Sequence, residues 1–187
     1  MRDVTTAMLS DALPHHTALT GQTLSCSVTP DDGKVFGATS TATVVIQPGC
    51  AAPVGYCTSN TNSSGQVAHI AASGTTSLSH DDLTLRATGC PANKNGIFFY
   101  GAGQTQVPLG NGVRCVTTPV QRLNPPVTTD ATGAVDRRLE LDAPPFSTGP
   151  FALSAGSTWY FQFWFRDPAA GGANVNLSDG VGCTFCP

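Results

Sequence analysis

STWYFQFWFRD, residues 157–167, is the stretch that decides the fold class. Trp159, Phe161, Phe163 and Phe165 alternate with Tyr160, Gln162, Trp164 and Arg166. Successive side chains of an extended strand point to opposite faces, so one face of this segment is wholly aromatic and the other amphipathic. The aromatic face belongs to a core. Two readings of the other face stay open. By default the strand is central, covered on both sides, with Arg166 paired to a carboxylate. Alternatively, Tyr160, Trp164 and Arg166 form a platform for a sugar ring or a partner protein, since aromatic and arginine side chains carry much of the energy at binding surfaces.

Working outward, GIFFYG (96–101) repeats the pattern, with Ile97 and Phe99 on one side and Phe98 and Tyr100 on the other. VAHIAAS (67–73), DLTLRATG (82–89), GVRCVTT (112–118), VQRLNP (120–125), DRRLELD (136–142) and VGCTFC (181–186) read as further strands separated by Gly-, Pro- and Asn-rich turns. Helix signals are nearly absent. The expected fold class is all-β, with an antiparallel β-sandwich, jelly-roll or immunoglobulin-like, in the second part of the chain.

Only 11% of the 187 residues are charged and the net charge is -3, with Arg137-Arg138 the sole adjacent basic pair. Neither nucleic acid nor an anionic lipid surface is an expected partner. Seven cysteines point to an oxidising compartment and hence to an exported, extracellular or cell-surface protein. The opening MRDVTTAMLSDALPHH has no apolar core of a secretory signal, and no segment is long and apolar enough for membrane insertion. The expectation is that part of the gene product lies outside this sequence.

The first part of the chain alternates in its own way. In TLSCSVT (23–29), Leu24, Cys26 and Val28 share a face, PDDGKVFGA (30–38) supplies turn residues, and TATVVI (41–46) places Ala42, Val44 and Ile46 inward. GQTLSCSVTPDDGKVFGATSTATVVI (21–46) resembles the closing hairpin of the bacterial immunoglobulin-like domains strung along secreted and surface proteins, and the likeness covers about residues 3–47. Such a domain takes about 100 residues and about seven strands, so the resemblance implies that residues 1–47 hold only its last strands. Cys26 is then unpaired or bonded to another chain, its bridge partner lying on a strand this sequence lacks; the other reading is a buried free thiol.

QPGCAAPVGYC (47–57) reads as a linker, assigned to residues 48–56, ahead of a second module at 57–187. YCTSNTNSSG, LRATGCPANKNGIFFYG, VPLGNGVRCV, STWYFQFWFRDP and NLSDGVGCTFCP resemble the cysteine-framed module at the C-terminal end of large secreted proteins of planctomycete-type bacteria. That family is named by position, so the resemblance implies class and location and no catalytic residues. Three positions apart on a strand, Cys183 and Cys186 face opposite ways and need separate partners. Cys57 and Cys186, at the two ends of the module, are the first expected pair, a closure worth about 4–5 kcal/mol in the chain-entropy model. Cys90 with Cys115 and Cys50 with Cys183 follow.

Signatures of catalysis and of metal or cofactor binding are missing. There is no G-x-S-x-G, no H-E-x-x-H and no phosphate-cradling glycine loop. Of His15, His16, His69 and His80, only SHDD (79–82) suggests acid/base work, and it reads as a polar turn with solvated Asp81 and Asp82. PDDG and NLSDG (176–180) show carboxylates in turns, but too few oxygens for calcium. Asn62 and Asn176 match the N-glycosylation triplet. The expected function is a non-enzymatic structural or adhesive module of a surface or fibrous assembly. Its short apolar ribbon at 3–46 would be covered by the second module, by an upstream domain, or by strands of other copies. The alternative is a carbohydrate-binding accessory module of a secreted enzyme, using the Tyr160 and Trp164 face on a surface glycan.

Overall fold

The computed structural model describes residues 22–46 and 49–187. Expectations that fall on residues 3–21, His15 and His16 among them, lie outside the described residues. The chain divides into two compact units, Met1–Gly49 and Cys50–Pro187. Among the described residues no helix is long and apolar enough to cross a membrane.

In the first unit, β1 (Thr23–Val28) and β2 (Ser40–Val45) pair antiparallel, with Leu24 opposite Val44 and Cys26 opposite Ala42. Cross-strand partners share a face, so Leu24, Cys26, Val28, Ala42 and Val44 line one side. Hydroxyls line the other, where Ser27 and Thr41 are hydrogen-bonded at 2.8 Å. The connecting turn is held by its own carboxylates. Asp31 accepts from Gly33 N at 2.8 Å, and Asp32 accepts from Lys34 N and Val35 N at 2.9 Å each. The apolar face is open: Val28 is 61% and Val44 58% exposed, and Phe36 beside the turn is 73% exposed. Cys26, expected to face a core, is an exposed free thiol.

The second unit is an all-β sandwich. Its larger sheet holds β3 (Val54–Tyr56), β6 (Asn95–Gly101), β9 (Gln121–Arg122), β10 (Val127–Thr128), β12 (Thr158–Arg166) and β13 (Val175–Thr184). Their order is β10-β6-β12-β13-β3, with β9 also on β6, and every pairing is antiparallel. The smaller sheet is β11-β5-β4, from β11 (Val135–Arg138), β5 (Thr84–Thr88) and β4 (His69–Ser73). A separate hairpin joins β7 (Gln104–Leu109) to β8 (Gly112–Val116). Between the two sheets lies the core the aromatic alternation predicts. Phe98 and Tyr100 of β6 and Trp159, Phe161, Phe163 and Phe165 of β12 meet Ile70, Leu85 and Ala87 of the smaller sheet. Tyr100 stacks on Phe161 at 5.3 Å between ring centres, and its hydroxyl donates to the Phe151 carbonyl, so the one polar atom of that buried ring is satisfied.

Several features differ from the expectations. The stretch read as a linker contains β3, which extends the larger sheet through β13. β13 begins well before VGCTFC, and NLSDG is not an exposed turn but a bulge within it, where pairing with β12 shifts between Gln162 and Trp164. Ser178 accepts from Phe163 N at 3.0 Å there. The bulge aims Asp179 at the smaller sheet, where its carboxylate accepts from Ile70 N at 2.7 Å and meets His69 Nδ1 at 2.9 Å.

The disulfides are Cys50–Cys186 and Cys57–Cys115, replacing the expected Cys57–Cys186, Cys90–Cys115 and Cys50–Cys183. Cys90 and Cys183 are buried free thiols. Cys183 points into the aromatic core and Cys186 out toward Cys50, so the opposite-facing argument is sound while the partners are not. Cys115 is drawn to Cys57 because the β7–β8 hairpin folds back over the larger sheet. Two disulfides fit an oxidising environment.

Candidate functional site

The outer face of the larger sheet carries the candidate site, and Gln162 organises it. Sitting mid-strand between core-facing Phe161 and Phe163, its side chain points away from the core and is fully buried. Its Oε1 accepts from Cys115 N at 2.9 Å, and its Nε2 donates to the carbonyls of Val113 at 2.8 Å and Ser178 at 2.6 Å. A side-chain amide thus pins the backbone of β8 across β12 and β13. Tyr56 adds a second tie, donating from its hydroxyl to the Cys115 carbonyl at 3.0 Å, next to the Cys57–Cys115 bridge. The ring reaches that position across Gly180, where a Cβ would lie 2.5 Å from Tyr56 Cζ. Burial pushes the Tyr56 hydroxyl above its usual range. Under the hairpin, Phe99, Val116 and Leu177 form a small second core against which Val120, Tyr160 and Trp164 pack.

Beside the pinned hairpin runs a groove of about 730 Å³. Its floor is Gly96, Ile97 and Phe99 of β6 with Trp164 of β12. One wall is Leu109 and Arg114 of the hairpin, and the other is Val120, Arg122, Asn124 and Pro126. Asn95 and Arg166 complete the lining. Three arginines therefore line a groove with an apolar floor. Among the described residues, no Asp, Glu, His, Ser or Cys lines the groove, and none of the three arginines takes part in an ion pair. Arg114 Nε is buried without a hydrogen-bond partner. Guanidinium stays charged at any physiological pH. The groove thus presents fixed positive charge and two amides beside an indole, the inventory of a binding surface.

Of the expected platform, the structure brings Trp164 and Arg166 together and separates Tyr160 from them. Tyr160 lies against Tyr56, ring centres 5.3 Å apart and edge to face, on the far side of Gln162 and its hairpin. It is outside the groove lining because β3 and the Cys57–Cys115 bridge cover that end of the face. The default reading of Arg166 also fails: the side chain is exposed, and among the described residues no carboxylate pairs with it. Nothing in the sequence marks out Arg114 or Arg122. Each stands alone among apolar and amide residues, and only the hairpin fold-back and the β9 pairing bring them to Trp164.

Other chemistry-bearing residues prove structural. Asp81 accepts from Leu141 N at 2.8 Å and pairs with Arg138, and Asp82, which is exposed, accepts from Thr75 N at 3.0 Å, so SHDD is a surface turn whose carboxylates also hold the neighbouring backbone. Asn62 and Asn176 are buried, 5% and 0% exposed, which removes both as glycan acceptors. Burial pushes the Cys90 and Cys183 thiols up to about 12. Among the described residues, no three His, Cys, Asp or Glu side chains converge as a metal site would need. Compared with protein-family models, with curated proteins and with solved structures, the chain finds no match.

Proposed function

We propose that this protein is a non-enzymatic, extracellular adhesive module. In this reading the second unit presents a ligand groove on the outer face of its larger sheet, as a carbohydrate-binding module does. The observation that carries it is the groove around Trp164: three unpaired arginines and two amides on an apolar floor, with no carboxylate or histidine among the lining residues to move a proton. Catalysis needs groups that act on a reacting bond, whereas recognition needs shape, an aromatic anchor and fixed polar groups. Extracellular placement is supported by the two disulfides.

The test is retention of the protein on a panel of immobilised neutral and acidic polysaccharides, alongside Trp164→Ala and Trp164→Phe. Retention on some member that falls at least about tenfold in Trp164→Ala, with thermal unfolding preserved, supports the reading. Trp164→Phe keeps a ring and is the control for packing. No retention on any member, or retention that ignores residue 164, removes it.

A second role rests on a separate observation, the open face of the β1–β2 hairpin. Among the described residues of the first unit, β1 and β2 pair only with each other, and a two-stranded ribbon with an apolar side is marginal by itself in water. The proposal is that added strands complete it, from an upstream domain or from another copy. Between copies, such head-to-tail addition gives filaments when the rotation does not close.

A further inference from the structure

We infer that the ligand of the groove is an acidic polysaccharide whose sugar rings carry carboxylates, a polyuronate. This rests on the reading of the groove as a binding surface and names what it binds.

The argument is one of complementarity. A uronic acid ring presents an apolar face of C–H groups, an edge of hydroxyls and a carboxylate. The groove presents a counterpart to each: the Trp164 indole and Phe99 on the floor, the side-chain amides of Asn95 and Asn124, and the guanidinium groups of Arg114, Arg122 and Arg166. Arginine is suited to the last, since its planar fork matches a carboxylate with two parallel hydrogen bonds.

The charge arrangement is the stronger half of the argument. The chain is acidic overall, with 12 Asp and Glu against 9 Lys and Arg, yet among the described residues no carboxylate lines this groove. Elsewhere in the same unit, exposed arginines do find partners: Arg86 is 2.8 Å from Asp136, and Arg138 is 3.5 Å from Asp81. The three groove arginines have, among the described residues, no ion-pair partner, and Arg114 Nε is withdrawn from solvent with no acceptor. An anionic ligand supplies the missing counter-charge at the guanidinium groups. A neutral glycan does not, and an acidic peptide uses the charge but not the indole floor.

The experiment compares the full chain on polygalacturonate, neutral galactan, dextran sulfate and polyglutamate by affinity electrophoresis and titration calorimetry. Expected is binding to polygalacturonate at least about tenfold tighter than to each of the others, weakening several-fold between about 20 and 200 mM salt. Arg114→Gln, Arg122→Gln and Arg166→Gln should each weaken polygalacturonate binding by about three- to tenfold. Arg122 and Arg166 are exposed, so their variants keep the fold, and melting curves verify it. Trp164-dependent binding to galactan as tight as to polygalacturonate overturns the polyuronate while leaving the adhesive reading intact. Preference for dextran sulfate or polyglutamate overturns it likewise. Binding to none of the four overturns it, and the wider panel then decides the adhesive reading separately.

Discussion

The Gln162 side chain, buried in the middle of β12, is bonded to the backbone N–H of Cys115 at 2.9 Å, 47 residues away in sequence. One amide supplies three hydrogen bonds there and fixes the wall from which Arg114 projects.

Gln162→Leu leaves one backbone N–H and two carbonyls without a side-chain partner in a dry interface. Each such group costs about 1–3 kcal/mol, partly recovered by relaxation. The expected loss is about 3 kcal/mol, read by chemical denaturation. Because the hairpin loosens, ligand retention should also fall in conditions where the variant is still folded. Unchanged stability would show that Gln162 is not the tie described.

Peptide mapping without reduction should recover Cys50 linked to Cys186 and Cys57 linked to Cys115. These bridges span sequence separations of 136 and 58 residues. Loop closure alone gives them about 5 and about 4 kcal/mol respectively, as upper values. Cys57→Ser/Cys115→Ser should therefore melt earlier than wild type and bind more weakly, since the lost bridge also holds the groove wall.

Thiol labelling near pH 8 should modify Cys26 at once, and Cys90 and Cys183 on the order of a hundredfold more slowly until the chain is unfolded. The two buried thiols also set a sign for alkaline behaviour. Their folded values are about 12 against an ordinary 9.0, so the unfolded chain gives up these protons first. Their contribution to stability is full below about pH 9 and is lost as pH rises toward 12. The buried hydroxyls of Tyr56 and Tyr100, both pushed up by burial, act in the same direction. Melting temperature should decline over that window, and less so in Cys90→Ala/Cys183→Ala.

Asp130 sets the opposite sign. The Ala134 backbone N–H, then the Thr132 hydroxyl and N–H, hold its carboxyl below the ordinary 3.8. Stability from this turn is present above that value and lost as pH falls through the folded one. Asp130→Ala should lower the melting temperature by a few degrees near pH 7, and the gap to wild type should narrow at about pH 2.

Completion of the β1–β2 hairpin by other copies predicts concentration-dependent self-association by sedimentation. Val44→Lys, on the open apolar face, should abolish it while leaving the melting of the second unit unchanged. A monomer at all concentrations would remove completion by other copies.

Most of the sandwich is legible before the structure because its core strands alternate strictly. β12 and β6 announce their two faces by residue type alone, and every segment read as a strand in the second unit holds one. β3 escapes notice because its three residues follow a Pro- and Ala-rich stretch and Val54 is exposed, leaving no alternation to read. β7 hides behind Pro108, a residue that ordinarily argues against a strand interior. The groove is legible only in part. Trp164 and Arg166 lie two apart on one strand, so their shared face follows from geometry. Arg122 reaches them through the pairing of β9 with β6, and Arg114 through a fold-back held by Gln162, a polar residue in an aromatic run that carries no outward sign of its bonding. The disulfides fail for the same reason: alternation tells which way a sulfur points, not what crosses above it.

The bond between Cys50 and Cys186 has a mechanical meaning for a protein of this kind. It joins the first residue of the second unit to the last but one. A load arriving along the chain at Cys50 leaves at Cys186 through sulfur, and the sandwich hangs off that path as an untensioned pendant. Traction applied between residues 49 and 187 in an oxidising setting is thus carried past the strands that line the groove, which keep their arrangement.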